Sequence, residues 1–542
     1  MKDTSIKSVP ANLEAKHDSY HCKTIAFGFL SVLLIIVWTL FWSSESSRRL
    51  VLVFGTVVTI PVVTLLVLYV VLHSKCIALN KTHKIAIFSS ILMYLCVVFT
   101  FLIPPFAVPD EYHHYLSSYW LSNCIMGKST LDSPATINMR KDDWDLYTGF
   151  GSRHEMKDFQ TYNITDASYQ EVADHFSLML RSDSVYSVPE ELMFDFSFWN
   201  ENSFAKLGSV AGILIGRLFN LGAFPLFYLG RLFSALFFVL LVSTAIYLTP
   251  IGRGAFIGIS LLPMTLNLAA SYSYDGGIIG FSLLFQALAF RVIFQSATPS
   301  LLVGLAALSI LIAPCKVVYI LELLLVLFIP NSRFATRKSA IVYKLVTLAS
   351  SLGITFLLKL SMIHSVAAGT TLSMHQGEAT FSLSALFSNP FDTIELIIRT
   401  LDSKLDFYLF STLGGILGWF QPDTASPNAF MILYLISLLY LVQTNEESHI
   451  RLTLPWKLLF FGIASSVVLA TMLSMATAWT SSTSAVIEGV QGRYFLPVLP
   501  LLLLSLSTKS ICILGDSLSR GFSFLVLLNA LYVIRFIGVA LI

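Results

Sequence analysis

The sequence predicts an all-α integral membrane protein with about 11–13 transmembrane helices and one large extracytoplasmic loop after the third. Three observations carry this reading. Of the 542 residues, 55% are hydrophobic and 12% charged, about half the charged share of a soluble protein. The mean hydropathy is +0.75, so most of the chain needs an apolar solvent. Apolar runs also recur from end to end, most of them near the roughly 20 residues that cross a bilayer as a helix.

The same composition excludes other classes. Low charge with 42 Phe and 21 Tyr is the opposite of a disordered chain. A net charge of +2 without a dense Lys/Arg patch argues against a nucleic-acid partner. Six cysteines, at positions 22, 76, 96, 124, 315 and 512, form no CxxC or CxxH pair, so metal and redox motifs are absent.

The first run, 24–42, is long enough to span. Ser-Ser-Glu follows it instead of the small residues of a cleavage site, so it reads as a retained helix. Further spans are expected at 50–72, 84–105, 226–248, 255–272, 277–295, 340–360, 428–443, 457–478, 494–508 and 521–541. Pro61 lies within a span, where neighbouring helices tolerate it. Pro314 and Lys316 divide 301–329 into two short helices. Residues 361–427 carry no crossing in this reading. Their apolar part, 394–419, holds Arg399, Asp402, Lys404 and Asp406 and reads as a helix lying along the interface. Residues 208–222, interrupted by Arg217, read the same way. The organisation expected is a tail with two additional helices at 1–83, a core at 84–508, and a connection with a last helix at 509–542.

Basic residues set the orientation. Lys2, Lys7, Lys16 and Lys23 place the N-terminus in the cytoplasm, with Lys75, Lys81, Lys84, Arg333, Arg337 and Lys338 on the same side. Arg48 and Arg49 fall on the outer side and disagree. Segment 106–205 then lies outside, and it holds 16 of the 32 acidic residues but 6 of the 34 basic ones. The expected location is the cytoplasmic membrane, crossed many times.

Charged residues at membrane depth are costly, so one found there points to a site. Four pieces of chain bring such residues to the same outer surface. Pro109-Asp110-Glu111-Tyr112-His113-His114 follows the third span, where Asp110 also suits a helix N-cap. Ser273-Tyr274-Asp275 forms a short outer turn, with Asp275 another candidate cap. Pro314-Cys315-Lys316 tips the hairpin of short helices. Gln491-Gly492-Arg493-Tyr494 leads into a late span, where Arg493 and Tyr494 also suit an interface anchor. Acids able to take a proton and cations able to hold a phosphate thus converge beneath one exported loop. That set suits displacement of a lipid phosphate from the sugar it carries: a carboxylate deprotonates the acceptor hydroxyl, and Lys or Arg stabilises the departing charge.

These residues resemble the DUF2142 family of bacterial membrane proteins, grouped with the GT-C glycosyltransferases. The resemblance spans about residues 100–510. It rests on Pro109, Asp110, Glu111 and His114, on Gly216-Arg217-Leu218 and Gly230-Arg231-Leu232, and on Leu262-Pro263-Met264 with Ser273-Tyr274-Asp275. It continues through Leu417-Gly418-Trp419 to Gln491-Gly492-Arg493-Tyr494-Phe495-Leu496-Pro497. It implies a GT-C-like fold, a polyprenyl-phosphate sugar donor and an envelope glycan acceptor. Asp110 or Glu111 becomes the catalytic base. His113, His114, Asp275, Lys316, Gln491, Arg493 and Tyr494 become substrate-binding residues, with Arg493 and Lys316 facing the lipid phosphate. One departure concerns Lys316: relatives place this lysine directly before a proline, whereas Pro314 precedes it here and Val317 follows. No cofactor and no metal are expected, because Lys and Arg can do the electrostatic work. A second class, transport or flipping of lipid-linked sugars, would use the same charges to line a path. The one repeat-like feature, the Gly-Arg-Leu-Phe pair at 216 and 230, is too short for a half-molecule duplication, and the charges gather at one face instead of along a route, so transport ranks second.

Overall fold

A computed structural model describes residues 30–41, 55, 81–129, 132–135, 137–151, 180–182, 186–187, 194–197, 202–360, 378–418, 425–444, 450, 452–508 and 517–540. All but one residue of the expected span 50–72 lies outside them, as do Tyr162, Tyr169 and Trp199, aromatic residues of segment 106–205 whose type suits stacking on sugar rings.

The described chain begins with the apolar helix α1 (Leu30–Phe41) and α2 (Lys81–Leu102). After α2 comes α3 (Glu111–Ile125), then the short α4 (Lys141–Leu146). Two small antiparallel sheets accompany them, β1 (Asp132–Ala135) with β4 (Phe194–Ser197) and β2 (Met139–Arg140) with β3 (Tyr186–Ser187). Segment 106–205 therefore contains strands that the all-helical expectation did not include. The chain then forms α5 (Leu207–Leu218), α6 (Ala223–Leu248), α7 (Arg253–Ser260), α8 (Pro263–Ala269), α9 (Tyr274–Phe294) and α10 (Pro299–Ile312). A 3₁₀ helix runs over Val317–Phe328. Beyond it lie α11 (Arg337–Leu358), α12 (Leu383–Ser388), α13 (Pro390–Leu413), α14 (Asn428–Val442) and α15 (Leu454–Ala478). A second 3₁₀ helix, Gly492–Val498, continues into α16 (Leu499–Ser505), and α17 (Ser517–Ala540) follows.

Among the described residues, six helices are long and apolar enough to cross a membrane: α2, α6, α9, α11, α15 and the bulk of α17. Five shorter apolar helices stand beside them. The chain is a multi-pass, predominantly helical membrane protein. As expected, 301–329 divides into two short helices, α10 and the 317–328 3₁₀ helix.

Two expected spans are not continuous. The run 255–272 splits into α7 and α8 because Pro263 has no N–H to continue the first helix, and Leu262 turns extended before it. The run 494–508 starts as a 3₁₀ helix holding Pro497 and becomes α-helical only from Leu499. Helix α13 keeps the amphipathic character foreseen for 394–419. It exposes Phe391, Ile394, Ile398, Leu405 and Leu409 along one face, at helical spacing.

Within segment 208–222, expected to lie along the interface, helix α5 packs tightly against α6. Gly208, Gly212 and Gly216 recur every four residues on one face of α5, and all three are buried. A Cβ on Gly212 would stand 2.6 Å from the Leu229 carbonyl oxygen and 2.7 Å from Gly230 Cα. Small residues at this spacing let two backbones touch, which drives helix association where water supplies no hydrophobic force. Gly212→Ala is therefore expected to cost about 1–3 kcal/mol by overpacking, lowering the thermal midpoint in detergent. Gly462→Ala, where a Cβ meets nothing within 4 Å, is expected to leave the midpoint unchanged or slightly raised.

Candidate active site

The site is built outward from one buried ion pair. Arg231, in the third turn of α6, and Glu111, the first residue of α3, are both fully buried. Arg231 Nε donates to Glu111 Oε1 at 2.8 Å and Nη2 donates to Oε2 at 2.5 Å. The same guanidinium donates to the carbonyls of Thr100, Ile103 and Pro104 at 2.5–2.9 Å. Those carbonyls lie at and just past the end of α2, where no helical N–H reaches them. One side chain thus fixes where α2 stops and where α3 starts. The Tyr272 backbone N–H also donates to Glu111 Oε1, at 3.1 Å, which joins the turn before α9 to the same carboxylate.

Asp110 precedes Glu111 and takes the left-handed region at φ 60°. It occupies the N-cap position of α3, yet its carboxylate makes no capping bond. Instead it faces Arg493 Nη2, 3.2 Å away, with the Asp110 side chain 49% exposed and Arg493 6% exposed. Arg493 Nε lies 3.3 Å from Asp275 Oδ2. Asp275 is not a cap either, since the Ser273 hydroxyl accepts from the Asp275 N–H and serves as the N-cap of α9. Arg493 is buried rather than being an interface anchor. It bridges two aspartates that are 165 residues apart in sequence.

Lys316 and Tyr494 complete the cluster. Lys316 Nζ sits 3.4 Å from the centre of the Tyr494 ring, a cation–π contact, and has no hydrogen-bond partner although the atom is buried. Arg493 stands 5.4 Å from the same ring. Gln491 holds the N-cap position of the 492–498 helix and is half-buried. Gly492 lies so close to the α13 backbone at Tyr408 and Thr412 that a Cβ would collide with it. That contact brings Arg493 into the bundle.

His113 and His114 lie one turn into α3, their rings 5.8 Å apart. His114 is buried, its ring 4.7 Å from that of Tyr274, and its Nδ1 has no partner. Burial first, then the charges of Lys206, His113 and Arg493, hold this imidazole well below its ordinary 6.5.

All nine sequence-derived candidates therefore fall at or near one end of the bundle. Glu111 differs from the rest in having both carboxylate oxygens bound. Two basic residues gained a place that the sequence reading did not assign. Arg231 was noted only as part of a motif, although an arginine inside a 26-residue apolar helix is itself a signal. Lys206, buried just before α5, donates to the Ser117 hydroxyl and lies 5.9 Å from the Tyr274 ring. Among the described residues no group of three or more His, Cys, Asp and Glu side chains could hold a metal ion.

A family model described as a predicted membrane protein, DUF2142, matches residues 93–502. The chain belongs to the DUF2142 family. The match spans Asp110, Asp275, Lys316 and Arg493, so the whole cluster lies within the DUF2142 region. No curated protein matches the chain, and no solved structure does.

Two outcomes are expected. Arg231→Met leaves Glu111 buried without its counter-charge and is expected to cost about 3–5 kcal/mol. Adding Glu111→Gln should recover part of that loss, a coupling that thermal unfolding of the single and double variants will show. The folded state favours neutral His114, so as pH falls through about 6.5 the unfolded chain takes up the proton first. Stability therefore drops as pH decreases from there towards the lowered folded value. His114→Asn should flatten the midpoint-versus-pH curve in that window.

Proposed function

We propose that this protein is a GT-C-type glycosyltransferase that moves a sugar from a polyprenyl-phosphate donor to a cell-envelope glycan. In this reading the N-terminus is cytoplasmic and the Asp110 end of the bundle faces the extracytoplasmic side of the cell membrane. The observation that carries it is the position of Arg493 between Asp110 and Asp275, with Lys316 against the adjacent ring. A half-exposed carboxylate beside a buried arginine, with a lysine against the adjoining ring, can serve both partners of such a transfer.

The chemistry follows from the geometry. The lipid donor approaches sideways from the bilayer and its phosphate meets Arg493 and Lys316. Arg suits phosphate oxygens by its fork, and Lys serves as a point charge. A phosphate that takes Arg493 draws it away from Asp110, leaving that carboxylate free to meet the acceptor hydroxyl. Asp110 accepts the proton of the acceptor hydroxyl as that oxygen bonds to the sugar's anomeric carbon. The bond from that carbon to the phosphate oxygen breaks, and its electron pair leaves with the lipid phosphate. Glu111, bound on both oxygens, is the positioning residue that aims Asp110. The unpartnered His114 Nδ1 is available to an acceptor or donor hydroxyl.

The test is the full-length protein in nanodiscs with a synthetic polyprenyl-phosphate sugar and acceptor glycan. Free lipid phosphate is the expected product, falling about 100-fold or more in Asp110→Asn and by a similar factor in Arg493→Met. Wild-type release in both variants removes these residues from the mechanism. Movement of intact donor between leaflets without release would identify a transporter instead.

A further inference from the structure

The helix over Val317–Phe328 keeps 3₁₀ winding for 12 residues, whereas such helices seldom run beyond three or four. At three residues per turn, side chains three apart eclipse. Tyr319, Glu322 and Leu325 therefore stand in one row, and Lys316 holds the N-cap position just ahead of it. An α-helix would rotate that row by about 60° at every step. Tyr319, Glu322 and Leu325 are all buried, so the row faces inward.

What the row meets is set by two prolines. In the segment Tyr494-Phe495-Leu496-Pro497-Val498-Leu499-Pro500, prolines stand three residues after Tyr494 and three after Pro497. Neither has an N–H, so the carbonyls of Tyr494 and Pro497 lack their i+3 donors. Side chains supply the donors instead. The Tyr319 hydroxyl donates to the Tyr494 carbonyl at 2.8 Å, and Gln286 Nε2 donates to the Pro497 carbonyl at 2.8 Å. Gln286 Nε2 also donates to Glu322 Oε2 at 3.1 Å, and Ser282 Oγ lies 3.2 Å from Glu322 Oε1. Ser282 and Gln286 are one turn apart on α9, the helix that begins at Asp275's turn.

Glu322 is fully buried, and among the described residues no Lys, Arg or His pairs with it. A bare carboxylate in that apolar setting would cost several kcal/mol, so the group is held as a neutral acid. Its two bonds tie the 317–328 helix to α9, while Gln286 and Tyr319 carry the tie on to the 492–498 helix; Lys316, Asp275 and Arg493 stand near the ends of these three elements.

We propose that Glu322 is a positioning residue. As a neutral acid it sets the register of its row against α9 and the 492–498 helix, so that Lys316 and Arg493 reach one bound group. That the bound group is a lipid phosphate rests on the transferase reading; the registration itself does not.

The test is amine labelling of Lys316, read by mass spectrometry on the full-length protein in nanodiscs, with exposed Lys338 as reference. Glutamine reproduces the shape and donors of a neutral acid, so Glu322→Gln should label Lys316 as slowly as wild type. Glu322→Leu should label it at least about tenfold faster, with Lys338 unchanged, a factor matching the ~1.4 kcal/mol that one lost hydrogen bond can amount to. Should Glu322→Leu fail to fold, Tyr319→Phe removes a single hydroxyl and should give a smaller rise in folded protein. Lys316 protected in both Glu322→Leu and Tyr319→Phe overturns the proposal, and so does Glu322→Gln labelling as fast as Glu322→Leu. In the turnover assay, Glu322→Leu should raise the donor KM while Glu322→Gln keeps it. A wild type without turnover sinks the transferase reading alone, because the labelling contrast does not depend on it.

Discussion

The fully buried Glu111–Arg231 pair is the constraint on which the rest of the site depends. Its five hydrogen bonds from one guanidinium satisfy carbonyls that a helix end leaves bare and neutralise a carboxylate that the bundle could not otherwise hold. A bidentate arginine is the residue type suited to this, because its planar fork loses little freedom when it binds. The consequence falls on the neighbouring residue. With Glu111 turned inward and Asp110 at φ 60°, the second acid of the pair has to face the other way, towards Arg493. Two adjacent carboxylates thereby acquire opposite environments, one clamped and one half-exposed, which is how enzymes divide roles between like groups.

The remaining charges are placed by backbone irregularity. Regular helix satisfies its own polar groups and leaves nothing for a ligand or a partner. Here the chain departs from α-helix at the turn before α9, at the 317–328 segment and at 492–498. Asp275, Lys316 and Arg493 stand at or beside the ends of those departures. Pro497 and Pro500 free carbonyls that Tyr319 and Gln286 then fill, so the irregular segments are cross-tied. Irregular backbone near a membrane is tolerated where protein encloses it, and that is also where sites are built.

Much of the fold was legible in the sequence because hydrocarbon imposes a length and a polarity on each crossing. Expected spans such as 226–248, 277–295 and 457–478 recur as α6, α9 and α15, which begin about one turn earlier. The extra turn is built from residues such as Tyr274-Asp275-Gly276 that hydropathy discounts. The breaks at Pro263 and Pro497 were harder to see, since each proline lies inside an otherwise unbroken apolar run and neighbours decide whether it kinks or divides the helix. Asp110, Asp275, Lys316 and Arg493 were legible as charges at span ends. The roles of Arg231, Lys206 and Glu322 were not, because each depends on a partner more than 35 residues away in sequence, and periodicity carries no information about such pairings. The glycine stripe of α5 has meaning only against the backbone of α6, so its role too was out of reach of the sequence.

The central claim is that Arg493 and Lys316 form one seat for a lipid-borne phosphate beside Asp110. The most direct measurement is a cryo-electron microscopy map of the protein in nanodiscs containing a polyprenyl phosphate. Phosphate density contacting both Arg493 and Lys316, with the polyprenyl chain leaving between helices into the bilayer, is the expected result. An ordered polyprenyl phosphate at another surface, with the Asp110–Arg493–Asp275 bridge intact and nothing near Lys316, would contradict it.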